Sequence, residues 1–450
     1  MHESDHAPDV DGFGNAIDNS VGYARGRILS SGLDEVARLR HAQSRTAAWI
    51  DRHGRSSVRF LTGSSRHFAV STGDPGLLCN EWLGPGYHTA QLQQLAAQHL
   101  GGSDGDAFVI LNRTTAAIVA TLACCAQDAW MVSVVPDGGR SHPSVRRGAA
   151  LARAAFREGT VADVLGGELR ATRPAVVVVT TVSSALQRIE DDEIRAVVEW
   201  AHDRSAIVLL DEAYGARLRP VFFGGRRSLE LGADLAVTNS DKAGLDGPRS
   251  GILGGRADLV ARVFAWASER GMEARAPLSA AVVCSLRDYR ADALRDAAGR
   301  GQEITRRLSD ALGPIVTGTV LGPKVHEDDV LRQLTDSSRP AVTPGEATAA
   351  LGLLLLDHHG IVTANSHGQP GASASLRLKP VSSAQDPVAF AEEIVTAVLQ
   401  ELDALRVILP HPDRMAATIL GAAGDRAATG RPAGSTAGRV TSDNQHGSQG

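Results

Sequence analysis

The sequence has 450 residues, of which 43% are hydrophobic and 22% charged, and its formal net charge is −5. At about 150 residues per domain, this length predicts two or three domains, with a core large enough to need no disulfide or metal. The slightly acidic balance argues against a protein whose whole surface binds nucleic acid or anionic lipid.

The first 75 residues predict an arm followed by one helix. Residues 1–25 are polar and contain several glycines, whereas apolar residues recur at helical spacing from Leu33 to Arg52, and Gly54 is a suitable stop. The N-terminus lacks a basic region followed by an apolar core, and no run of about 18 apolar residues occurs. Neither a secretory signal nor a membrane span is therefore expected.

The cysteines indicate a reducing environment. The chain has four, at Cys79, Cys124, Cys125 and Cys284, and they form no C-x-x-C pair. Neither a disulfide framework nor a zinc ribbon is predicted, and because an H-E-x-x-H motif is also missing, no metal site is expected. A cytoplasmic location is the simplest expectation.

A large α/β domain is predicted over residues 76–300. After a helix over Thr89–Leu100, short β-branched runs alternate with helical stretches, which is typical of a mainly parallel sheet covered on both faces. Seven strands are predicted, at Phe108–Leu111, Met131–Val135, Val161–Leu165, Ala175–Thr181, Ile207–Leu210, Leu235–Thr238 and Gly251–Leu253. The helices between them are predicted at Thr115–Gln127, Pro143–Arg157 and Asp192–Asp203.

A long helical stretch over residues 275–313 leads into a smaller C-terminal α/β domain, predicted over residues 301–415. Thr343 and Glu346 form a capping box for a helix that runs to His359. Two short strands, Ile361–Ala364 and Ala374–Leu378, precede a final helix that Asp386 starts and that ends near Val407. Residues 416–450 are rich in small residues and are predicted to be a disordered tail.

Lysine usage is the most informative part of the composition. Lysines account for three of the 46 basic residues, at Lys242, Lys324 and Lys379, and all the others are arginines. A lysine that remains in such a chain is a candidate for chemistry that an amine performs and a guanidinium does not. The sequence also lacks a Walker-type G-x-x-x-x-G-K-[ST] loop and the V-A-I-K strand of a protein kinase.

Two neighbouring strand ends carry an acid and a lysine. Asp211 ends the strand in IVLLDEAYGARLRP (residues 207–220), and Lys242 follows the next strand in LAVTNSDKAGLDGPRSGILGG (residues 235–255). Ligands bind at the carboxyl ends of strands in doubly wound sheets. A lysine that forms a Schiff base and a carboxylate that keeps a pyridine nitrogen protonated together suit pyridoxal phosphate. A helix-capping role for Asp211 and a solvated surface position for Lys242 are the alternatives.

These residues resemble fold-type I pyridoxal-phosphate-dependent enzymes. The segments FVILNRTTAAIVA (residues 108–120), VSVVPDGGRSHPSV (132–145) and TNSDKAGLDGPRSGILGG (238–255) resemble more closely the selenocysteine synthase-like group. The resemblance covers about residues 75–400. It implies the fold-type I transferase fold, with a large domain built on a seven-stranded, mainly parallel sheet and a small C-terminal α/β domain.

The resemblance implies a set of cofactor-binding residues. The loop formed by Asn112, Arg113, Thr114 and Thr115 would hold the cofactor phosphate at a helix N-terminus, with Ser240 adding a hydroxyl. His142 would stack on the cofactor ring and would also serve as a proton carrier. Ser183 would contact the phenolic oxygen. A capped helix and a loop histidine without a role are the alternatives for the phosphate loop and for His142.

The substrate is expected to contact Arg377 and Tyr214. An arginine in this kind of C-terminal strand grips the substrate α-carboxylate in fold-type I enzymes, and Lys379 on the same strand is a competitor. Arg217 and Arg219 are candidates for a second anionic group on the substrate. A surface-strand arginine is the alternative for Arg377.

The expected activity is β-elimination or β-replacement on a small amino acid, with Lys242 and His142 as the catalytic residues. An aminotransferase or amino-acid decarboxylase of the same fold is the first alternative, and a non-catalytic relative is the second. A transfer RNA partner is not expected, because no basic N-terminal region is present. The resemblance implies a homodimer or higher oligomer, in which the Gly84–His88 loop contacts the second subunit.

Overall fold

A computed structural model describes residues 9–71, 73–381 and 386–422. Its largest element is a seven-stranded sheet whose strands lie in the order Asp106–Leu111, Gly251–Arg256, Leu235–Thr238, Ile207–Asp211, Val176–Thr180, Trp130–Val134 and Ala155–Gly159. Gly251–Arg256 runs antiparallel to both of its neighbours, and the other strand pairs are parallel. The predicted α/β class and the mainly parallel sheet of seven strands are confirmed.

Helices cover both faces of this sheet, which explains why its central strands are apolar at consecutive positions. Every residue of Val176–Thr180 is buried, as expected for a parallel strand that packs on two sides. One core cluster contains Ile118 and Leu253, and the cluster on the opposite face contains Val197. The helices of this domain are Pro75–Leu78, Gly84–Leu100, Thr114–Cys125, Pro143–Leu151, Val161–Leu165, Asp191–His202, Gly215–Phe223, Ala257–Ser268 and Ala276–Arg287.

One predicted strand is wrong. Val161–Leu165 is a helix, and the strand at that edge of the sheet is Ala155–Gly159, which lies partly inside the segment predicted as the helix Pro143–Arg157. That helix ends at Leu151. A capping box between Thr160 and Asp163 starts the short helix, and this local signal overrides the β-branched composition of the segment.

Two further boundaries differ from the prediction. The Gly84–His88 segment, predicted as a loop, forms the first turns of the helix Gly84–Leu100, since Pro85 is well tolerated in the first turn of a helix. The stretch predicted as one long helix is divided into Ala276–Arg287 and Ala291–Leu312.

The small domain consists of a three-stranded antiparallel sheet and the helices around it. Its strands are Val316–Thr319, Gly322–Val325 and Leu376–Arg377. Its helices after residue 325 are Glu327–Leu334, Pro344–His359, Ala364–His367, Pro387–Ile408 and Pro412–Leu420. The capping box of Thr343 and Glu346 is present as predicted.

The N-terminal segment is part of the small domain rather than a separate arm. Leu29 and Leu61 belong to the core cluster of the small domain, and the helix Gly32–His53 contacts the helix Pro344–His359. The strand Arg59–Phe60 pairs in parallel with Ile361–Val362. A short hairpin, Ile17–Asp18 with Tyr23–Ala24, precedes these elements.

The predicted disordered tail begins too early. Residues 416–420 complete the helix Pro412–Leu420, because Met415, Ile419 and Leu420 bury their side chains against the small-domain core. Residues 423–450 lie outside the described part of the chain, and the domain boundaries at residues 76, 301 and 416 otherwise stay a prediction. None of the helices in the described ranges is both long enough and apolar enough to cross a membrane.

Candidate active site

A cavity of about 360 Å³ lies at the carboxyl edge of the large sheet, where the small domain covers it. This volume lies at the lower end of the range typical of small-molecule sites, about 300–1,000 Å³. The large domain contributes Asp211 and Lys242, and the small domain contributes Arg377 and Lys379. Residues that are far apart in the sequence therefore meet in one cavity, as predicted for strand ends at a shared edge.

Asp211 ends the strand Ile207–Asp211 and is buried. Burial raises the pKa of its carboxyl to about 6, although the Ala213 N–H and the charge of Lys242 act in the opposite direction. The Ala213 N–H donates a 3.2 Å hydrogen bond to Asp211 Oδ1. A ligand that brings a positively charged N–H group to this carboxylate would stabilise its ionised form.

Lys242 shares an aromatic neighbour with the second lysine of the cavity. Its Nζ lies 5.0 Å from the centre of the Tyr214 ring, and Lys379 Nζ lies 4.5 Å from the same centre. Lys379 Nζ also donates a 2.5 Å hydrogen bond to the Tyr214 phenol oxygen. The three side chains therefore form one contact group, defined here as the lysine–tyrosine cluster.

Charges set the proton affinities within the lysine–tyrosine cluster. Burial alone would raise the pKa of Tyr214, but the charges of Lys379, Lys242 and Arg377 lower it to about 7. Burial lowers the pKa of Lys379 to about 8. The cluster is therefore able to gain or lose a proton near neutral pH.

The N-terminus of the helix Thr114–Cys125 opens into the cavity. Its N-cap residue, Arg113, makes no side-chain cap, and the first N–H groups of a helix have no intrahelical partner. Gly251 packs directly against this turn, since a Cβ there would lie 2.5 Å from the Arg113 carbonyl oxygen. The helix end, with Arg113, Thr114 and Thr115 on the cavity wall, is suited to bind an anion.

His142 lines the cavity as a neutral ring. Its Nδ1 accepts a 3.2 Å hydrogen bond from the Ser144 N–H, which leaves the ring proton on Nε2. Burial, together with the charges of Lys242, Arg147 and Arg113, lowers the pKa of His142 to about 3. A neutral ring with this pKa is suited to stacking and is a weak base at neutral pH.

Three residues that the sequence placed on the cofactor have their side chains elsewhere. Asn112 Nδ2 donates a 3.2 Å bond to the Gly271 carbonyl. Ser183 Oγ bonds to Gln187 and accepts from the Ala185 N–H, so its neighbour Ser184 lines the cavity instead. Ser240 Oγ donates to the Pro248 carbonyl and contacts Ser250 Oγ at 2.8 Å, inside the loop that follows Lys242.

The arginines predicted for the substrate divide into two kinds. Arg377 reaches the cavity, donates from Nη1 to the Ser184 carbonyl and has an Nε without a partner among the described residues.

Arg217 is held by Thr238 and Asn239, and Arg219 forms ion pairs with Glu212 and Asp191. Both of these arginines are fully buried outside the cavity. Internal partners hold their terminal guanidinium nitrogens, and neither residue is on the cavity wall that Arg377 reaches.

Four charged residues of the cavity were not found from the sequence. These are Arg66, Arg147, Asp241 and Arg249. Asp241 and Arg249 could have been identified from the sequence, because they lie one residue before and seven residues after Lys242. Arg66 could not have been identified in this way, because a backbone bridge between the distant residues Ser64 and Lys242 brings it to the cavity.

The chain is similar to known proteins over most of its length. A family model described as aminotransferase class I and II matches residues 82–390. A pyridoxal phosphate-dependent protein of Methanothermobacter thermautotrophicus is 36% identical over 350 residues, which cover 78% of this chain and 89% of that protein. A similarly described protein of Methanosphaera stadtmanae is 27% identical over 83% of this chain and 96% of its own length.

A solved structure supports the fold. An alanine–glyoxylate aminotransferase from Nostoc sp. superposes with a TM-score of 0.51 at 18% identity, over 77% of this chain and 95% of that one. This similarity shows the fold alone. It confirms the predicted fold-type I architecture.

Proposed function

The chain belongs to the family of class I and II aminotransferases and is a pyridoxal phosphate-dependent enzyme, and from this premise we propose that it catalyses β-elimination or β-replacement on a small free amino acid. When bound, the cofactor supplies an electron sink that weakens the bonds to the substrate Cα. The chain itself must bind the cofactor, orient the substrate and move protons.

The residues on the cavity wall fit this cofactor. The guanidinium groups of Arg113 and Arg249 form no hydrogen bond or salt bridge among the described residues, although the charge of Asp241 acts on both. They line the cavity at the uncapped N-terminus of the helix Thr114–Cys125. We assign the cofactor phosphate to this group. Asp211 would pair with the pyridine nitrogen, Lys242 would bond to the aldehyde carbon, and His142 would stack on the ring.

The lysine–tyrosine cluster is the observation that carries the proposed reaction. Elimination needs a base that removes the Cα proton and an acid that protonates the leaving group on Cβ. We assign the first role to Lys242 and the second to the hydrogen-bonded pair of Tyr214 and Lys379. The pKa values of about 7 for Tyr214 and about 8 for Lys379 support this assignment, since the best catalytic acids have a pKa near the working pH.

This arrangement assigns His142 a role in stacking rather than in proton transfer. Its pKa of about 3 makes it a poor proton carrier at neutral pH. Arg377 would bind the substrate α-carboxylate with two parallel hydrogen bonds, because its Nε is without a partner among the described residues.

Transamination is the second candidate, and the family match favours it. An aminotransferase uses the same cofactor and needs one proton carrier, which Lys242 alone would supply. The selenocysteine synthase-like branch, by contrast, rests on the sequence resemblance alone. Free cysteines at all four positions support a cytoplasmic location, which stays part of the proposal.

Product analysis tests the proposed reaction. The cofactor-loaded enzyme is incubated with single amino acids, and the products are identified with and without a keto-acid acceptor. We expect a keto acid and ammonia, or a β-substituted product when a thiol is added, without any need for an acceptor. A strict need for an acceptor would establish transamination, and release of CO₂ would establish decarboxylation.

A further inference from the structure

We propose that the substrate of this site is an amino acid with a second anionic group, a carboxylate or a phosphate, in addition to its α-carboxylate. The inference rests on the proposed function, because it assumes that the cofactor and an amino acid share the cavity. It is carried by the charges on the cavity wall and by the partners that these charges have.

Positive charge is in large excess on the wall. The described lining residues include seven cationic side chains and two carboxylates. The carboxylates are Asp211 and Asp241, and the cations are Arg66, Arg113, Arg147, Lys242, Arg249, Arg377 and Lys379. The two histidines of the wall, His142 and His367, stay neutral, since burial lowers their pKa values to about 3 and about 4.

The cofactor and a simple amino acid leave part of this charge uncompensated. A phosphate ester carries about two negative charges at neutral pH, and Arg113 and Arg249 face the helix end that would hold it. Arg377 accounts for one α-carboxylate. Lys242 bonds to the cofactor and Lys379 is hydrogen-bonded to Tyr214. Arg66 and Arg147 remain. Asp241 is the one other carboxylate on the described wall, and its charge acts on Arg113 and Arg249 as well as on Arg66.

The contacts of Arg66 leave it able to bind a ligand. Its Nε lies 3.5 Å from Asp241 Oδ2, and neither oxygen of the buried Asp241 accepts a hydrogen bond among the described residues. The Arg66 side chain is 36% exposed. Its backbone has a φ of 55°, a conformation that costs energy for a residue with a Cβ and is concentrated at ligand sites.

Arg147 lies at the mouth of the same cavity. Its Nη2 donates to the Ser20 carbonyl at 2.7 Å, and it forms no ion pair among the described residues. It lies close enough to His142 to lower the pKa of that ring. Because a planar guanidinium binds carboxylate or phosphate through two parallel hydrogen bonds, Arg66 and Arg147 are suited to a second anionic group on the substrate.

Binding to the cofactor-loaded enzyme before turnover tests the inference. The dissociation constants of L-serine, L-aspartate and O-phospho-L-serine are measured by rapid mixing, from the change in cofactor absorption that precedes product formation. We expect at least one of the two anionic amino acids to bind about tenfold or more tightly than L-serine, and increasing salt to weaken this preference. The comparison of aspartate with phosphoserine identifies which anionic group the site takes.

Substitutions locate the effect. The preference is expressed as the dissociation constant of L-serine divided by that of the preferred anionic ligand. Arg66→Gln and Arg147→Gln should each reduce this ratio by about tenfold. Arg140→Gln is the matched control, since Arg140 pairs with Asp9 outside the cavity, and it should preserve the ratio. The visible absorption of the bound cofactor verifies that each variant is folded.

The outcomes separate this inference from the proposed function. If L-serine binds as tightly as both anionic ligands, or if neither arginine variant changes the ratio, the inference is overturned while the proposed function stands. If the protein takes up no pyridoxal phosphate and binds none of the three amino acids, the proposed function itself fails.

Discussion

Lys379 Nζ donates a 2.5 Å hydrogen bond to the phenol oxygen of Tyr214, and both side chains are buried. Lys242 Nζ faces the same ring. An amine and a phenol in such contact, with pKa values of about 8 and about 7, share one proton near neutral pH. The Tyr214–Lys379 pair lies next to Lys242, to which we assign the cofactor. Its shared proton can therefore be transferred at this position.

The Tyr214 phenol should ionise near neutral pH in the wild-type protein. Ultraviolet difference spectra of tyrosinate measure this ionisation in the cofactor-free protein. Lys379→Met should move it upward by about one pH unit or more, because the nearest positive charge is lost. Lys379→Arg should largely preserve it, and Tyr214→Phe should abolish the signal. Burial raises the pKa values of Tyr23 and Tyr289, so these phenols do not interfere. A Lys379→Met profile identical to that of the wild type would contradict the pairing.

Arg377 should be the anchor of the substrate α-carboxylate. Arg377→Lys keeps the charge and loses the planar fork, so kcat/KM should fall by about 30- to 1,000-fold, equivalent to about 2–4 kcal/mol. The visible band of the bound cofactor should stay unchanged. Steady-state kinetics measure the effect, with Arg140→Lys as the control outside the cavity. Unchanged kinetics for Arg377→Lys would show that another cationic residue of the cavity binds the α-carboxylate.

Asp211 should be needed for turnover and not for folding. Asp211→Asn preserves the shape of the side chain and removes the negative charge assigned to the pyridine nitrogen, so kcat should fall by about 100-fold or more. The thermal unfolding midpoint should not fall, because the carboxylate is a buried charge whose pKa is raised by burial. Asp246→Asn, on an exposed carboxylate paired with His67, is the control. Normal turnover of Asp211→Asn would exclude the assigned pairing.

The backbone position of the site was predictable because it depends on strand ends. Asp211 ends one buried strand and Lys242 follows the neighbouring strand in the sheet, and parallel strands present their carboxyl ends at one edge. The scarcity of lysine then identified Lys242 among the residues at that edge. Both inferences use features that a single sequence contains.

Side-chain direction was not predictable, since it depends on the turns that follow the strands. Ser183 and Ser184 are adjacent, yet Ser184 lines the cavity while Ser183 bonds within its own turn. Arg217 was a reasonable substrate ligand until the fold placed Thr238 and Asn239 around it. Contacts between distant segments, such as Arg66 with Asp241, leave no local pattern in the sequence.

Large apolar side chains are exposed at several positions between residues 68 and 87, and we expect them to form a homodimer interface. Phe68, Trp82, Leu83 and Tyr87 are all exposed, and Trp82 is 92% exposed. Large apolar side chains that are exposed within a short stretch of sequence are typical of an interaction surface. The double variant Trp82→Ser/Tyr87→Ser should shift the protein toward monomer in sedimentation velocity. Val407→Ser, a substitution of similar kind at an exposed site elsewhere, should leave the assembly unchanged. A fully active wild-type monomer would exclude this surface as an interface.

The pH dependence of stability should contain a contribution from His99, which lies outside the cavity. Its Nε2 lies 3.2 Å from Arg217 Nη1, and its ring meets Tyr289 edge to face at 5.3 Å. Burial, with the charges of Arg217 and Arg227, lowers the pKa of His99 from 6.5 to about 3. The unfolded chain therefore binds one more proton than the folded chain between these two values.

The stabilisation is complete above the unfolded pKa and is lost as the pH falls toward the folded value, at about 1.4 kcal/mol per pH unit. His142 and His367 act in the same direction, whereas the raised pKa of Asp211 opposes them at acidic pH. Urea unfolding of the cofactor-free protein measures the free energy of unfolding at each pH. Between about pH 7 and about pH 5 this free energy should fall less steeply in His99→Gln than in the wild type, and the difference in slope should correspond to one bound proton. Glutamine keeps an acceptor for Arg217. Above pH 7, about half a unit above the unfolded pKa, the histidine is neutral in both states, so the unfolding free energies of the two proteins should have the same slope against pH. Equal slopes below that pH would show that His99 accepts a proton in the folded protein.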